Sequence, residues 1–145
     1  MNKYLKIFLI LVAIGVVVGG GAVYYIFNMP ARDVENETPA YTLNAEVLYT
    51  DFSNNEDAAN LKYGDKVIQV SGVVVDKITE DYQVSITLND EMEGINCAVD
   101  SASYVENKEF FDGLNTGNKI TLKGKCDGFD MIMGVVLTRC FLINK

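Results

Sequence analysis

An uncharged apolar segment near the N-terminus constrains this chain more than any other feature. Residues 7–27 form 21 consecutive positions without a charge. As an α-helix this segment is roughly 32 Å long, close to the ~30 Å hydrocarbon core of a bilayer. Lys3 and Lys6 precede it, and aromatic residues end it where an interfacial belt would lie. We therefore predict a single-pass transmembrane anchor within residues 1–27.

The position of the basic residues predicts which side of the membrane the rest occupies. By the positive-inside rule, the N-terminus stays cytoplasmic and the C-terminal domain is extracytoplasmic, in the periplasm. The alternative is a cleaved signal peptide with secretion to the periplasm, because Gly20 and Ala22 fit a cleavage site. Residues 23–27 resume the apolar run, which favours an uncleaved anchor. No cysteine lies near this segment, which excludes lipid modification there.

Charge and composition narrow the function classes. Residues 1–27 hold two of the 12 basic residues and none of the 20 acidic ones, so the rest carries a net charge of −10. The chain has no His, which excludes Ser-His-Asp and Cys-His nucleophile systems and zinc sites that need imidazole. Its three cysteines form no CxxC pair. We predict a protein that is not an enzyme and has no cofactor and no metal.

Residues 28–43 read as a linker before one folded domain at residues 44–145. They contain both prolines of the chain, Pro30 and Pro39, with mixed charges between them. Asn44 is placed as the N-cap of a first short helix. Ser53 and Glu56 have the spacing of a capping box for a second.

From Lys66 onward the apolar residues alternate with polar ones, which predicts strands. The first, over residues 67–78, is interrupted by Gly72, where we expect a bulge. The predicted order is helix, three strands, a helix over residues 104–114, and two strands that end near Ile143. This order predicts a mainly β fold, the five-stranded Greek-key barrel called the OB-fold. Strand alternation alone fits a β-sandwich nearly as well, and the helix between the third and fourth strands favours the barrel.

Several short motifs also resemble one protein family. They lie, in chain order, at residues 28–34, 41–43, 58–63, 66–72, 95–97, 117–128 and 136–140. In order and spacing they are similar to the tRNA-anticodon-binding-like OB-fold family of small membrane-anchored bacterial proteins, mostly from Bacteroidetes. The resemblance implies the fold and an envelope location. It offers no catalytic residues, and fold does not carry function.

OB-folds bind ligands on the face of the second and third strands and in the adjoining loops. We therefore predict a non-catalytic module that binds a protein or small polar ligand at the mouth of the barrel. The predicted ligand-binding residues are Gln83, Ser85, Thr87 and Asn96 on the strands and Phe129, Asp130 and Met131 in the last loop.

Two alternatives to this function remain open. One is single-stranded nucleic-acid binding, which needs phosphate-neutralising cations and stacking aromatics. We interpret Lys119, Lys123 and Lys125, on one side of the fourth strand, as a solvated face instead. The other alternative is a structural subunit of an envelope complex.

The three cysteines offer three pairings in an oxidising envelope. We favour a disulfide between Cys126 and Cys140. In the chain-entropy model, a bridge that closes about 15 residues stabilises by ~3 kcal/mol. The competing interpretation is that all three are small buried hydrophobic residues.

Overall fold

The computed structural model of the chain describes residues 2–30, 32–90 and 94–143. It divides into two compact units, Met1–Arg32 and Asp33–Lys145. The first unit consists of helix α1, Lys3–Phe27, in which no residue is buried within the protein. By length and composition α1 is a candidate membrane span or signal sequence. The apolar segment is therefore helical, as predicted.

The second unit contains six strands and four helices within the described residues. The strands are β1 (Tyr41–Asn44), β2 (Val67–Glu80), β3 (Gln83–Leu88), β4 (Ile95–Val99), β5 (Lys119–Asp130) and β6 (Gly134–Leu142). The helices are α2 (Ala45–Asn54), α3 (Glu56–Tyr63), α4 (Ser101–Glu106) and α5 (Lys108–Gly113).

Strand β2 closes the barrel because it pairs with two different strands. Its first half, through Val73, pairs antiparallel with β5, and its second half, from Val74, pairs antiparallel with β3. The other pairs of the barrel are β3–β4 and β5–β6, both antiparallel, and β4–β6, which is parallel. A closed five-stranded barrel with helices confirms the predicted OB-fold.

Gly72 has a different role from the predicted one. The register shift in β2 lies between Val74 and Asp76. A Cβ atom added to Gly72 would lie 3.0 Å from the Cβ atoms of both Ala45 and Leu88. The glycine therefore allows α2 to pack closely against β2. The bulge was predicted in the correct strand but at the wrong residue.

Most of the segment predicted as a linker, residues 33–43, belongs to the second compact unit. Val34 is only 2% exposed. The backbone amide of Ala40 donates to the Val67 carbonyl at 2.8 Å, and β1 then pairs parallel with β2. We placed the domain boundary at residue 43, whereas the folded unit begins at Asp33. Composition alone could not show this, because the segment is ordered by hydrogen bonds to distant strands.

A buried lysine holds the same segment. The Lys123 ammonium donates to the backbone carbonyls of Glu35 and Glu37, and Lys123 is only 8% exposed. The interpretation of Lys123 as part of a solvated face is therefore wrong. Its charge is used inside the domain, where two carbonyl oxygens replace water.

Helices α2 and α3 cover the end of the barrel at which β2 begins. Leu48 and Phe52 of α2 and Tyr63 of α3 are buried in the core. Asn44 is the N-cap of α2, as predicted. The N-cap of α3 is Asn55, whose side chain accepts from the Ala58 amide at 3.0 Å, so the predicted capping box with Ser53 is wrong.

The single helix predicted over residues 104–114 is two short helices. Asp100 caps α4 by accepting from the Ala102 amide, and Asn107 separates α4 from α5. The Lys77 ammonium of β2 donates to the carbonyls of Phe111 and Leu114, both at 2.8 Å. These bonds join β2 to the backbone at the C-terminal end of α5, where helix carbonyl groups lack intrahelical partners or share them.

Candidate ligand-binding face

The four strand residues predicted to bind a ligand do share one face of the barrel. Along β3, Gln83, Ser85 and Thr87 alternate with buried apolar residues, so they point outward. Thr87 lies opposite Asn96 of β4. The Ser85 hydroxyl donates to the Asn96 side-chain oxygen at 3.1 Å. We call this surface the polar face.

One end of the polar face deepens into a groove of about 370 Å³. Its polar lining comes from Glu80 and Gln83, from Ser85, from Asp100 at the start of α4, and from Arg139 of β6. Val84 and Val99 contribute apolar surface. We call this cavity the Arg139 groove. It combines one guanidinium and two carboxylates with neutral hydrogen-bonding groups.

Arg139 reaches the groove because of a bulge in β6. Cys97 lies opposite Leu137 and Val99 lies opposite Cys140, so β6 has one residue more than β4 between these pairs. Arg139 has φ 52°, in the left-handed region, which costs a non-glycine residue about 1–2 kcal/mol. Strain of this kind concentrates at functional sites, which makes it a reason to suspect one here. Sequence patterning missed Arg139, because the bulge depends on the parallel pairing of β4 with β6.

The turn between β2 and β3 borders the same groove. Asp81 and Tyr82 have φ 41° and 69°, so two consecutive non-glycine residues are left-handed. Tyr82 remains 69% exposed and contacts Tyr104 edge-on, with ring centroids 6.5 Å apart. The turn therefore places an exposed aromatic ring beside a polar cavity.

The three predicted loop residues, Phe129, Asp130 and Met131, have different surroundings. Phe129 lies in β5 opposite Val135, partly buried against the core. The Asp130 carboxylate accepts from the amides of Ile132 and Met133, at 2.8 and 3.0 Å, and so shapes the turn. Met131 is 93% exposed, so most of its side chain is in contact with solvent.

These loop residues are also at the other end of the strands from the Arg139 groove. Val135 pairs with Ile95, the first residue of β4, whereas the groove lies at Val99, the last. The predicted set of seven residues therefore divides into a polar face and a separate hairpin.

The cations of the second unit are largely occupied. Lys125 lies 3.1 Å from an Asp65 carboxylate oxygen and 2.9 Å from one of Asp127. The Lys62 ammonium pairs with Asp51 at 2.9 Å, and Lys77 and Lys123 bind backbone carbonyls. Such side chains are not available to neutralise phosphates without breaking contacts within the domain.

The cysteines are three free, buried thiols. Cys126 lies opposite Leu137 in the β5–β6 ladder. Cys140 instead lies opposite Val99 in the β4–β6 ladder. The favoured Cys126–Cys140 bond is thus not formed in this structure, and it stays a prediction for the oxidised protein.

Burial also determines the reactivity of these thiols. Desolvation raises the pKa of Cys126 to about 11 and that of Cys140 well above its ordinary value. Because the thiolate is the reactive species, both thiols are poor nucleophiles near neutral pH.

The closed barrel and its helices define an OB-fold domain. The sequence model of the tRNA_anti-like family matches residues 1–142, and the chain belongs to this family. Among curated proteins no significant match is found.

Solved structures with the same fold include a "putative nucleic acid-binding lipoprotein" from Klebsiella pneumoniae. It is 17% identical, has a TM-score of 0.54, and the match covers 80% of this chain and 100% of that one. An asparaginyl-tRNA synthetase from Pyrococcus horikoshii is 14% identical with a TM-score of 0.43, over 57% of this chain and 21% of the synthetase.

Proposed function

We propose that this protein is a non-catalytic binding module, held on the extracytoplasmic side of a membrane by α1. Its ligand is a protein segment or a small polar molecule that lies along the polar face and enters the Arg139 groove. The observation that carries this proposal is the groove itself, a concave polar cavity on the face by which OB-folds bind.

The chemistry of the groove favours a ligand with both hydrogen-bond donors and acceptors. The Arg139 guanidinium offers several donors in a fixed fork, suited to a carboxylate or a peptide carbonyl. The Glu80 carboxylate and the Gln83 amide can accept from amide or ammonium groups. A peptide segment has both kinds of group, and apolar parts for Val84 and Val99.

The location of the ligand site is tested by site-specific photocrosslinking of the full chain in cells. A photoreactive residue at Gln83 should capture a defined product, and Arg139→Gln in the same chain should abolish that product. The matched control is the same probe at Leu61 of α3, which is 84% exposed and lies outside the groove. Equal capture from both positions, or capture from Gln83 that ignores Arg139→Gln, would refute the proposed site.

The location of the domain is tested separately. Alkaline phosphatase fused after Lys145 should be active, because that enzyme needs an oxidising compartment. An inactive phosphatase fusion, with an active cytosolic reporter at the same position, would reverse the proposed topology.

Single-stranded nucleic-acid binding is a second candidate, favoured by the description of the Klebsiella lipoprotein and by exposed Tyr82. It predicts oligonucleotide affinity that falls steeply between about 50 and 200 mM salt. Fluorescence anisotropy with the full chain measures this directly, and the absence of binding at low salt would dismiss it. A structural subunit of an envelope complex would instead give a stable membrane complex in which Arg139→Gln has no effect.

A further inference from the structure

The two-residue turn between β2 and β3 holds a tyrosine where a turn of this kind usually has glycine. Glu80 pairs with Gln83, so the turn consists of Asp81 and Tyr82, whose φ angles are 41° and 69°. Turns with two positive φ angles favour glycine at the second position, because a β-carbon is strained there. Tyr82 therefore occupies this position at a cost in stability, and such strain is a reason to look for a function of its side chain.

The Tyr82 ring is exposed and is supported by a second ring. Tyr82 is 69% exposed, and its ring centroid lies 6.5 Å from that of Tyr104 in an edge-on contact. Tyr104 is buried, and its hydroxyl donates to the Asp112 carboxylate at 3.0 Å. Because packing and this hydrogen bond fix its neighbour, Tyr82 offers a positioned aromatic surface to a ligand.

Fixed polar groups lie beside this ring in the Arg139 groove. The Asp100 carboxylate, at the start of α4, accepts from the Ala102 amide at 2.9 Å and retains further acceptor positions. Glu80 and Gln83, on either side of the turn, line the same groove. The groove of about 370 Å³ is near the lower end of the ~300–1,000 Å³ range of small-molecule sites. Its size and lining fit a small unit with many hydrogen-bonding groups.

The pairing of the strands limits how a peptide can occupy the polar face. Strand β3 pairs with β2 and β4, and β4 pairs with β3 and β6, so both strands of this face have partners on both edges. An extended peptide joins a sheet by main-chain hydrogen bonds to an unpaired strand edge. A ligand on this face is therefore recognised by side chains and not by strand addition.

The charge of the domain disfavours an anionic ligand. Residues 28–145 hold all 20 acidic residues and 10 of the 12 basic ones, which gives a net charge of −10. Within the groove, Glu80 and Asp100 contribute two carboxylates beside the guanidinium of Arg139. Phosphate groups that approach this site are repelled, whereas a neutral ligand meets no such barrier.

We infer that the Arg139 groove binds a neutral saccharide, one ring of which stacks on Tyr82. Its hydroxyl groups bond to Glu80, Gln83 and Asp100. Each sugar hydroxyl both donates and accepts, so adjacent hydroxyls match a site that combines carboxylates with an amide. The C–H groups on one face of a sugar ring carry partial positive charge and contact the negative face of an aromatic ring. This inference rests on the proposed function and names the class of its small polar ligand.

The test uses neutral oligosaccharides of glucose, mannose, galactose and N-acetylglucosamine, immobilised as an array. The full chain is presented to them in phosphatidylcholine nanodiscs, because detergents with sugar headgroups would compete for the site. At least one oligosaccharide should be retained. Its affinity should change little between about 50 and 200 mM salt, since binding involves no phosphate contact.

Two variants of one residue separate the role of the ring from that of the turn. Tyr82→Gly removes the ring and suits the backbone of the turn, so the thermal unfolding transition should be kept while the affinity falls about tenfold or more. Tyr82→Phe keeps the ring and should bind as the unmodified chain does. The matched control is Leu61→Ala, at a position that is 84% exposed and outside the groove, and it should leave the affinity unchanged.

Photocrosslinking from Gln83 distinguishes the ways to fail. If no oligosaccharide is retained but Gln83 captures a product that depends on Arg139, or if that product is a protein, the saccharide is overturned and the binding site stands. If neither experiment detects binding, the saccharide and the proposed site are both overturned. Equal retention of the Tyr82→Gly variant and the unmodified chain also overturns the inference, because the saccharide is then bound elsewhere.

Discussion

The two ends of the barrel present opposite kinds of surface. At the end of β4, the Arg139 groove is concave and polar, and its backbone is left-handed at Tyr82 and Arg139. At the start of β4, the turn between β5 and β6 exposes the apolar side chains of Met131 and Ile132, on a hairpin whose base holds Gly134 against the Gly94 carbonyl. One barrel therefore carries two surfaces of opposite polarity.

The difference teaches how each surface is built. At the base of the hairpin between β5 and β6, Gly134 adopts the left-handed conformation at little steric cost and makes close backbone contact possible. At the groove end, larger residues adopt it and their side chains are displayed. The first arrangement serves stability, and the second holds side chains in place at a cost in stability.

The largest effect is expected from the base of the hairpin. Gly134→Ala puts a Cβ atom against the Gly94 carbonyl at a left-handed φ, and should lower the free energy of unfolding by about 2–4 kcal/mol. The control is Gly117→Ala, with φ 88° but nothing within 4 Å, which should lose only about 1–2 kcal/mol. Denaturant unfolding measures both. Equal losses of stability would show that Gly134 is required only for its left-handed backbone conformation and not for its close contact with Gly94.

A smaller loss is expected at the turn itself. Asp130→Ala removes the acceptor for two backbone amides and should cost about 1 kcal/mol. Glu106→Ala, at an exposed acid, should change stability by less than ~0.5 kcal/mol. If the Asp130 and Glu106 variants are equally stable, the turn between β5 and β6 is not organised by Asp130.

The sequence predicted the features that depend on local pattern. Alternation placed Gln83, Ser85 and Thr87 on one outward face, because each β3 neighbour is buried. The apolar segment at residues 7–27 was also sufficient to predict a helix. The barrel was predicted from the order of helices and strands together with the long strand that begins at Val67, which is β2 in the structure.

The sequence could not predict features that depend on pairing between distant strands. Arg139 enters the groove only because β6 bulges against β4, and Lys123 is buried only because residues 35 and 37 fold over it. Phe129 looked like a loop residue because the extra length of β5 is set by its partner β6. In each case the sequence does not show which distant residues lie opposite one another in the fold.

At position 139, beside the groove, glycine is expected to give a more stable protein than alanine. Arg139→Gly should raise the free energy of unfolding by about 0.5–1 kcal/mol relative to Arg139→Ala, since both lack the guanidinium but only glycine adopts φ 52° freely. Thermal unfolding of the pair measures the difference. If the alanine variant is the more stable, the groove backbone stores no strain, and the contrast between the two ends fails.

The smallest effect compares two similar Tyr–Asp–Lys clusters, one near each end. Hydrogen bonds from Tyr63 and then Lys62 lower the pKa of Asp51, and those from Lys108 and then Tyr104 lower the pKa of Asp112. A carboxylate whose pKa is lowered in the folded state stabilises the fold at pH values above its ordinary pKa of 3.8. This contribution disappears as the pH falls through the lowered pKa.

Asp51→Asn should therefore cost less than ~1 kcal/mol at pH 7, since the carboxylate is partly exposed, and this cost should disappear as the pH falls through the lowered pKa of Asp51. Asp112→Asn should cost less at pH 7, because Tyr63 is more deeply buried than Tyr104 and loses more when its charged acceptor is removed. Unfolding curves of both variants across pH 2–7 measure this. If Asp112→Asn is less stable than Asp51→Asn, the cluster beside the groove contributes more to stability than the cluster at Asp51, which contradicts this prediction.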